Sequence, residues 1–184
     1  MKKILMILYI GLLNLSGNAF SSDNILSSLQ EGGKLVFIRH AIAPGNGDPD
    51  NFNLKNCSTQ RNLNKKGLKQ SEKIGHFFKI NKIKIDKVLS SEWCRCKDTA
   101  KYAFKNYFEF PALNSTFQSS FAKNEPKQLK QLRSFVNNWD GDGGNLVLIT
   151  HYSIITAITD AVPSSGEIVI TDKEFNVLST IPTD

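Results

Sequence analysis

Apolar and polar positions along this chain fall into short blocks of two periods, and the blocks alternate. Segments 34–39 (Lys-Leu-Val-Phe-Ile-Arg) and 145–150 (Asn-Leu-Val-Leu-Ile-Thr) are continuous apolar, β-branched runs, the pattern of strands covered on both faces. Segment 85–89 reads as a third strand, and 167–171 with 175–180 as a terminal hairpin. Between them the period lengthens. A helix runs from the N-cap Asn64 to about Phe78, with Leu68, Ile74, Phe77 and Phe78 apolar. A second spans about Glu92 to Lys105. Pro126 opens a third that reaches Trp139, and a fourth runs from about Ser153 to Ala161. Segment 108–113 reads as a short extended piece. This alternation predicts a three-layer α/β/α fold around a mainly parallel central sheet. One stretch interrupts it. Residues 43–60 form a long loop rich in Gly, Pro, Asn and Asp, and loops of that length in a compact domain are often functional.

The two long apolar runs end alike, in His40 and His151. The chain has only three histidines, so two of them occupy equivalent places. The carboxyl ends of parallel strands line the ligand crevice of open α/β sheets. Two imidazoles delivered there, with Arg39 beside one of them, suit an anionic substrate. Arg95 falls in the first turn of the helix after the third strand. An arginine there adds a fork of donors to a helix N-terminus already favourable to anions. Arg39, His40, Arg95 and His151 are therefore expected around one phosphate-sized hole. The third histidine, His76, lies mid-helix and receives no role.

Composition narrows the class. With 184 residues, 40% hydrophobic and 22% charged, the chain suits one packed domain. Its first residues stand apart. Lys2 and Lys3 precede an apolar run from Ile4 to Leu15, and Gly17-Asn18-Ala19 follows. This is the pattern of a secretory signal at 1–19, leaving a single domain at 20–184. The run is too short for a bilayer span, which needs about 20 residues. Removing Lys2 and Lys3 leaves 21 basic and 17 acidic side chains, a formal charge of +4. That charge permits an acidic substrate without implying nucleic acid or an integral membrane span, and no cofactor or metal site is proposed by any His/Asp cluster.

These residues carry a resemblance. Arg39-His40-Ala41 resembles the Arg-His-Gly signature of the histidine phosphatase superfamily, the phosphoglycerate mutase-like proteins. Asn62-Leu63, Gly67 and Gln70 are similar to its helix pattern. Ser90-Ser91, Arg95 and Thr99-Ala100 match its second block, and Thr150-His151 its last. The blocks stand in family order over nearly the whole expected mature chain, whose size and export signal resemble the short periplasmic branch. The resemblance implies a metal-independent phosphomonoesterase. His40 would be the nucleophile, forming a phosphohistidine, while Arg39, Arg95 and His151 hold the phosphate. Asn46, six residues after His40, stands where many members carry a phosphate-contacting asparagine. Arg61 ends the loop that begins at the nucleophile and is expected at the pocket rim.

Two departures matter. Ala41 replaces the usual glycine. The family's usual general-acid positions hold no carboxylate: Tyr152 follows His151, and 112–116 reads Ala-Leu-Asn-Ser-Thr. Glu92 is the substitute nearest in sequence to a pocket residue, with Glu125, Asp48 and Asp50 as others. A phosphomutase, and a phosphate- or phosphosugar-binding module that lost its acid, are the competing functions. The substrate, the oligomeric state and the acid stay open.

Three cysteines remain. If Arg61 and Arg95 both face the phosphate, Cys57 lies near Cys94 and Cys96. A disulfide from Cys57 to Cys94 or to Cys96 is then expected, the alternative being three reduced thiols. A helical C-x-C points its own two thiols apart, so Cys94 with Cys96 is the poorer pairing.

Export makes a direct expectation. N-terminal sequencing of the protein from the cell envelope should read Phe20 first, after cleavage behind Ala19. A product that starts at Met1 and stays in the cytosol would refute it.

Overall fold

The computed structural model describes residues 22–183. The expected signal segment at 1–19 lies outside the described residues. Among the described residues six strands form one sheet: β1 (Leu35–Arg39), β2 (Ile85–Ser90), β3 (Phe108–Glu109), β4 (Asn145–Thr150), β5 (Ile168–Thr171) and β6 (Val177–Ile181), in the order β3-β2-β4-β1-β5-β6. Strands β3, β2, β4 and β1 are parallel. The hairpin β5-β6 closes the sheet antiparallel on the β1 side. Six α-helices accompany them among the described residues: α1 (Ser22–Glu31), α2 (Lys65–Ile80), α3 (Cys94–Phe104), α4 (Ser119–Ala122), α5 (Glu125–Asn138) and α6 (Tyr152–Thr159).

The continuous apolar runs produce the layers. Side chains alternate across a strand, so β1 sends Val36 and Ile38 to one face and Leu35 and Phe37 to the other. The first face packs against Leu29 of α1, Ile74 and Phe78 of α2, and Cys96 and Ala100 of α3. The second packs against Leu132 and Val136 of α5 and Ile154, Ile155 and Ile158 of α6. The expected three-layer α/β/α fold with a mainly parallel sheet is the observed one. Among the described residues, no helix is long and apolar enough to cross a membrane.

Element boundaries differ from the expected ones where local chemistry overrides period. In the extended piece expected at 108–113, only Phe108–Glu109 pairs with β2; Pro111, which has no N–H to donate, opens a 3-10 turn through Leu113. The helix expected from Glu92 begins two residues later, since Trp93 keeps an extended backbone. The last helix stops at Thr159 because Asp160 takes a left-handed conformation, φ 62°. Helix α1 has no counterpart among the expected elements.

The long loop is not slack. Cys57 is disulfide-bonded to Cys94, with Cα atoms 5.7 Å apart across 37 residues of sequence. This is one of the two expected pairings. A cross-link over a loop of that size stabilises by about 2–4 kcal/mol in the chain-entropy model. Cys96, two residues on, turns inward and is a buried free thiol. Gln60 Oε1 accepts from the Cys94 backbone N–H at 2.9 Å, which caps α3 from the loop, because Trp93 at its N-cap position offers no side-chain acceptor. Phe52 stacks on Trp93 at 5.1 Å between centroids, and Phe121 meets both rings edge-on at 5.4 Å.

Candidate active site

Strand register brings the two histidines together. Arg39 lies opposite Thr150 in the β1-β4 pairing, and the His40 N–H continues the ladder to the Thr150 carbonyl at 2.9 Å. The rings of His40 and His151 consequently meet edge to face, 5.4 Å between centroids. Both side chains are buried.

The residues of the other sequence blocks brace the turn after His40. Thr99 Oγ1 accepts the Ala41 N–H at 3.0 Å and donates to the Arg95 carbonyl at 2.7 Å. Gln70 Oε1 accepts the Ile42 N–H at 3.0 Å, while its Nε2 donates to the Ser165 carbonyl at 2.8 Å. Gly67 lets α2 approach this turn, since a Cβ there would lie 2.1 Å from the Ile42 carbonyl oxygen. Spacing that resembles a signature is thus a set of props under the histidine-bearing strand end.

A small polar cavity of about 50 Å³ opens over the two imidazoles. Arg39, His40, Arg61, Arg95 and His151 line it, together with Asn46. Six of the seven residues expected at the site therefore share one cavity. The seventh, Glu92, does not line it: its carboxylate accepts from Asn114 Nδ2 at 2.6 Å, behind His151. Ser115, Phe117 and Gln118 also line the cavity and have no sequence signal; Tyr152 lines it too, two residues past the end of β4.

His40 Nδ1 lies 2.9 Å from the Ala41 carbonyl. A carbonyl only accepts, so Nδ1 carries the hydrogen and Nε2 keeps its lone pair. His151 is oriented oppositely. Its Nδ1 lies 3.3 Å from Arg95 Nη2, which only donates, so the proton of neutral His151 resides on Nε2, 3.0 Å from Ser91 Oγ. Ser91 in turn donates to Asn114 Oδ1 at 3.1 Å. Burial pushes the pKa of His40 well below its ordinary 6.5, and the charge of Arg95 adds to the effect; His151 is lowered for the same two reasons.

The guanidiniums differ in what they already hold. Arg39 Nη1 donates to the Pro163 carbonyl at 2.9 Å and its guanidinium carbon lies 5.3 Å from the Tyr152 ring centre, while its Nε–H is buried without a partner. Arg61 donates through Nε to the Gly47 carbonyl at 2.8 Å and through Nη1 to the Ala43 carbonyl. Burial lowers the pKa of both, and repulsion from Arg95 contributes in each. Arg95 forms an ion pair with Asp48, Nη1 to Oδ1 at 2.7 Å and Nη2 to Oδ2 at 3.2 Å, with both side chains almost wholly buried. From sequence alone Asp48 reads as a turn residue or a spare acid. Burial by itself would raise its pKa, but hydrogen bonds from Arg95, the charge of Arg95 and the bond from Trp93 Nε1 (2.9 Å) outweigh this and lower it. Asp48 is thus held as a carboxylate. It is also the one carboxylate among the described residues that line the cavity.

No protein-family model and no curated protein matches this chain. Solved structures do. The protein histidine phosphatase SixA complexed with tungstate superposes with a TM-score of 0.53 at 16% identity, covering 78% of this chain and 92% of that one. Phosphoglycerate mutase from Thermus thermophilus gives 0.54 at 15%, covering 82% and 99%. A phosphoserine phosphatase from Entamoeba histolytica gives 0.52 at 16%, covering 74% and 89%. This chain shares the fold of these solved structures, the fold that the resemblance in the sequence implied.

The buried neutral imidazoles predict a pH dependence. On unfolding, His40 and His151 regain ordinary values near 6.5 and take up protons that the native state excludes. Stability is therefore fully present above pH 6.5 and declines as the pH falls below it. The melting temperature should drop between pH 7 and pH 5, and the slope should shrink in His40→Asn. A melting temperature flat over that window in the wild type would refute the neutral, buried pair.

Proposed function

We propose that this chain is a phosphomonoesterase that works through a phosphohistidine on His40. One observation carries the reading: a histidine whose free Nε2 is fixed by the Ala41 carbonyl sits in a cavity lined by three guanidiniums. Phosphoryl transfer asks for that combination, an in-line nucleophile and dense positive charge around the equatorial oxygens.

The steps follow from the residues. A phosphate monoester enters as a dianion, and its oxygens meet the free donors of Arg39 and Arg95, the rim residue Arg61 and the side chain of Asn46. His40, neutral because burial disfavours its cation, attacks phosphorus through Nε2. The P–O bond to the alcohol breaks, and its electron pair leaves on the alcohol oxygen. Water then attacks phosphorus, the P–N bond breaks, and orthophosphate leaves with His40 neutral again. His151 is fixed beside the phosphoryl group by Arg95 and Ser91. The three guanidiniums supply the charge that metal ions supply elsewhere, so the reaction is proposed to be metal-independent. Likeness to SixA, to a phosphoserine phosphatase and to a mutase supports the fold's suitability for phosphoryl groups, and tungstate in the first of these is a tetrahedral oxyanion. The Cys57–Cys94 disulfide suits an oxidising compartment and supports an exported enzyme.

The mutase and the non-catalytic binding module share this cavity and differ in turnover. Hydrolysis of p-nitrophenyl phosphate by the purified protein, undiminished by EDTA and abolished in His40→Ala, is the expected result. Activity that survives His40→Ala, or that EDTA removes, would refute the mechanism. Arg95→Ala should lower kcat/KM by about 10²–10³-fold, the usual loss for one electrostatic donor.

The cavity's one carboxylate, Asp48, is engaged by Arg95 and Trp93, so the leaving alcohol has no free carboxylic acid to protonate it. Rates across aryl and alkyl phosphates should therefore fall steeply as the leaving group's pKa rises. A flat dependence would reveal a proton donor other than Asp48.

A further inference from the structure

We propose that Asp48 is a positioning residue that turns Arg95 so that its side-on edge, Nε–H with Nη2–H, faces the phosphoryl group; this rests on the phosphatase reading above. A guanidinium offers two forks. The end-on fork uses one hydrogen of each Nη. The side-on fork uses Nε–H and the Nη2 hydrogen on the same side. Here the end-on fork is closed by Asp48, at 2.7 and 3.2 Å. The second Nη1 hydrogen points to the Arg61 carbonyl at 3.4 Å. What remains is the side-on edge: an Nε–H that is buried with no partner, and an Nη2 hydrogen resting on His151 Nδ1 at 3.3 Å. A buried, charged donor without an acceptor is costly, and an anion in the adjoining cavity supplies the acceptor.

Asp48 is itself held from several sides, so it can hold Arg95. Its Oδ1 also accepts the Arg61 N–H at 3.1 Å, and its Oδ2 accepts Trp93 Nε1 at 2.9 Å. Gln118 clasps its backbone, Oε1 accepting from Asp48 N–H at 2.9 Å and Nε2 donating to its carbonyl at 3.3 Å. A carboxylate bound by donors at both oxygens has no capacity left to protonate a leaving group, which separates this role from that of a general acid. Asp48 also occupies the guanidinium face that a phosphate could otherwise take end-on. The phosphate thus binds beside the ion pair and does not replace it.

The test is a double-mutant cycle with an independent ligand readout. Asp48→Asn should lower kcat/KM for p-nitrophenyl phosphate at least tenfold in the wild-type background and less than twofold in Arg95→Ala. Equal losses in both backgrounds, or no loss in either, would overturn the proposal, because a general stabiliser of the loop acts whether or not Arg95 is present. The second readout uses the unmutated protein and needs no turnover. On titration with tungstate, NMR should show the Arg95 Nε–H resonance shifting downfield while the Asp48 side-chain carboxyl carbon stays within its unliganded position. A large shift of that carbon with an unmoved Arg95 Nε–H would mean that the anion displaces Asp48, and the proposal would fall. Failure of His40-dependent hydrolysis would sink the phosphatase reading alone, since the titration still reports which edge of Arg95 binds an oxyanion.

Discussion

The parallel pairing of β1 with β4 is the constraint on which the site depends. Arg39 opposite Thr150 makes the two strands end level, and the residue after each end is a histidine. Shifting that register by one residue would exchange the two core faces of β1, moving Val36 and Ile38 into the layer now filled by Leu35 and Phe37. The apolar core therefore enforces the alignment that brings the imidazoles to 5.4 Å. Packing free energy, spread over two hydrophobic layers, fixes a geometric result at the sheet edge.

A second constraint acts from the side. Trp93, Cys94 and Arg95 are consecutive at the N-terminus of α3, and each takes hold of the 43–60 loop by different chemistry. Trp93 stacks on Phe52 and donates to Asp48, Cys94 bonds to Cys57, and Arg95 pairs with Asp48. Gln60 returns the grip by accepting the Cys94 N–H. A covalent bond, an aromatic stack and a buried ion pair converge on three residues, so the loop that begins at His40 is tied down at the helix that carries Arg95. These ties add to the hydrogen bonds that the segment makes within itself, among Asn53, Asn56, Thr59 and Gln60.

The parts legible in the sequence are those with a short-range or periodic signature. The uninterrupted β-branched runs announce the parallel sheet, and the terminal histidines, Arg39 and Arg95 follow from strand and helix ends. Arg61 and the pairing of Cys57 take one further step, that a loop leaving His40 must return to it; the choice of Cys94 over Cys96 needs the start of α3, which Trp93 delays by keeping an extended backbone. What sequence does not show are contacts between distant polar residues. Asp48 looks like a turn former in a Gly-Asp-Pro-Asp stretch, and its partners lie 45 and 47 residues away. Gln118 and Phe117 carry no pattern at all. Glu92 fails to reach the cavity because the turn before α3 directs it to Asn114 instead.

Three guanidiniums and one carboxylate line the cavity, and burial keeps both imidazoles neutral. The formal balance is two positive charges, equal and opposite to a phosphate monoester dianion above its second pKa of about 6. On the proposed mechanism, three arginines without Asp48 would hold substrate and orthophosphate alike more tightly, and uniform binding of that kind does not lower the barrier. With Asp48 in place, one guanidinium is partly compensated and fully oriented, so its contribution depends on where negative charge sits. In the proposed phosphoryl transfer that charge spreads over the equatorial oxygens of the transition state, where fixed N–H groups count for more than net attraction.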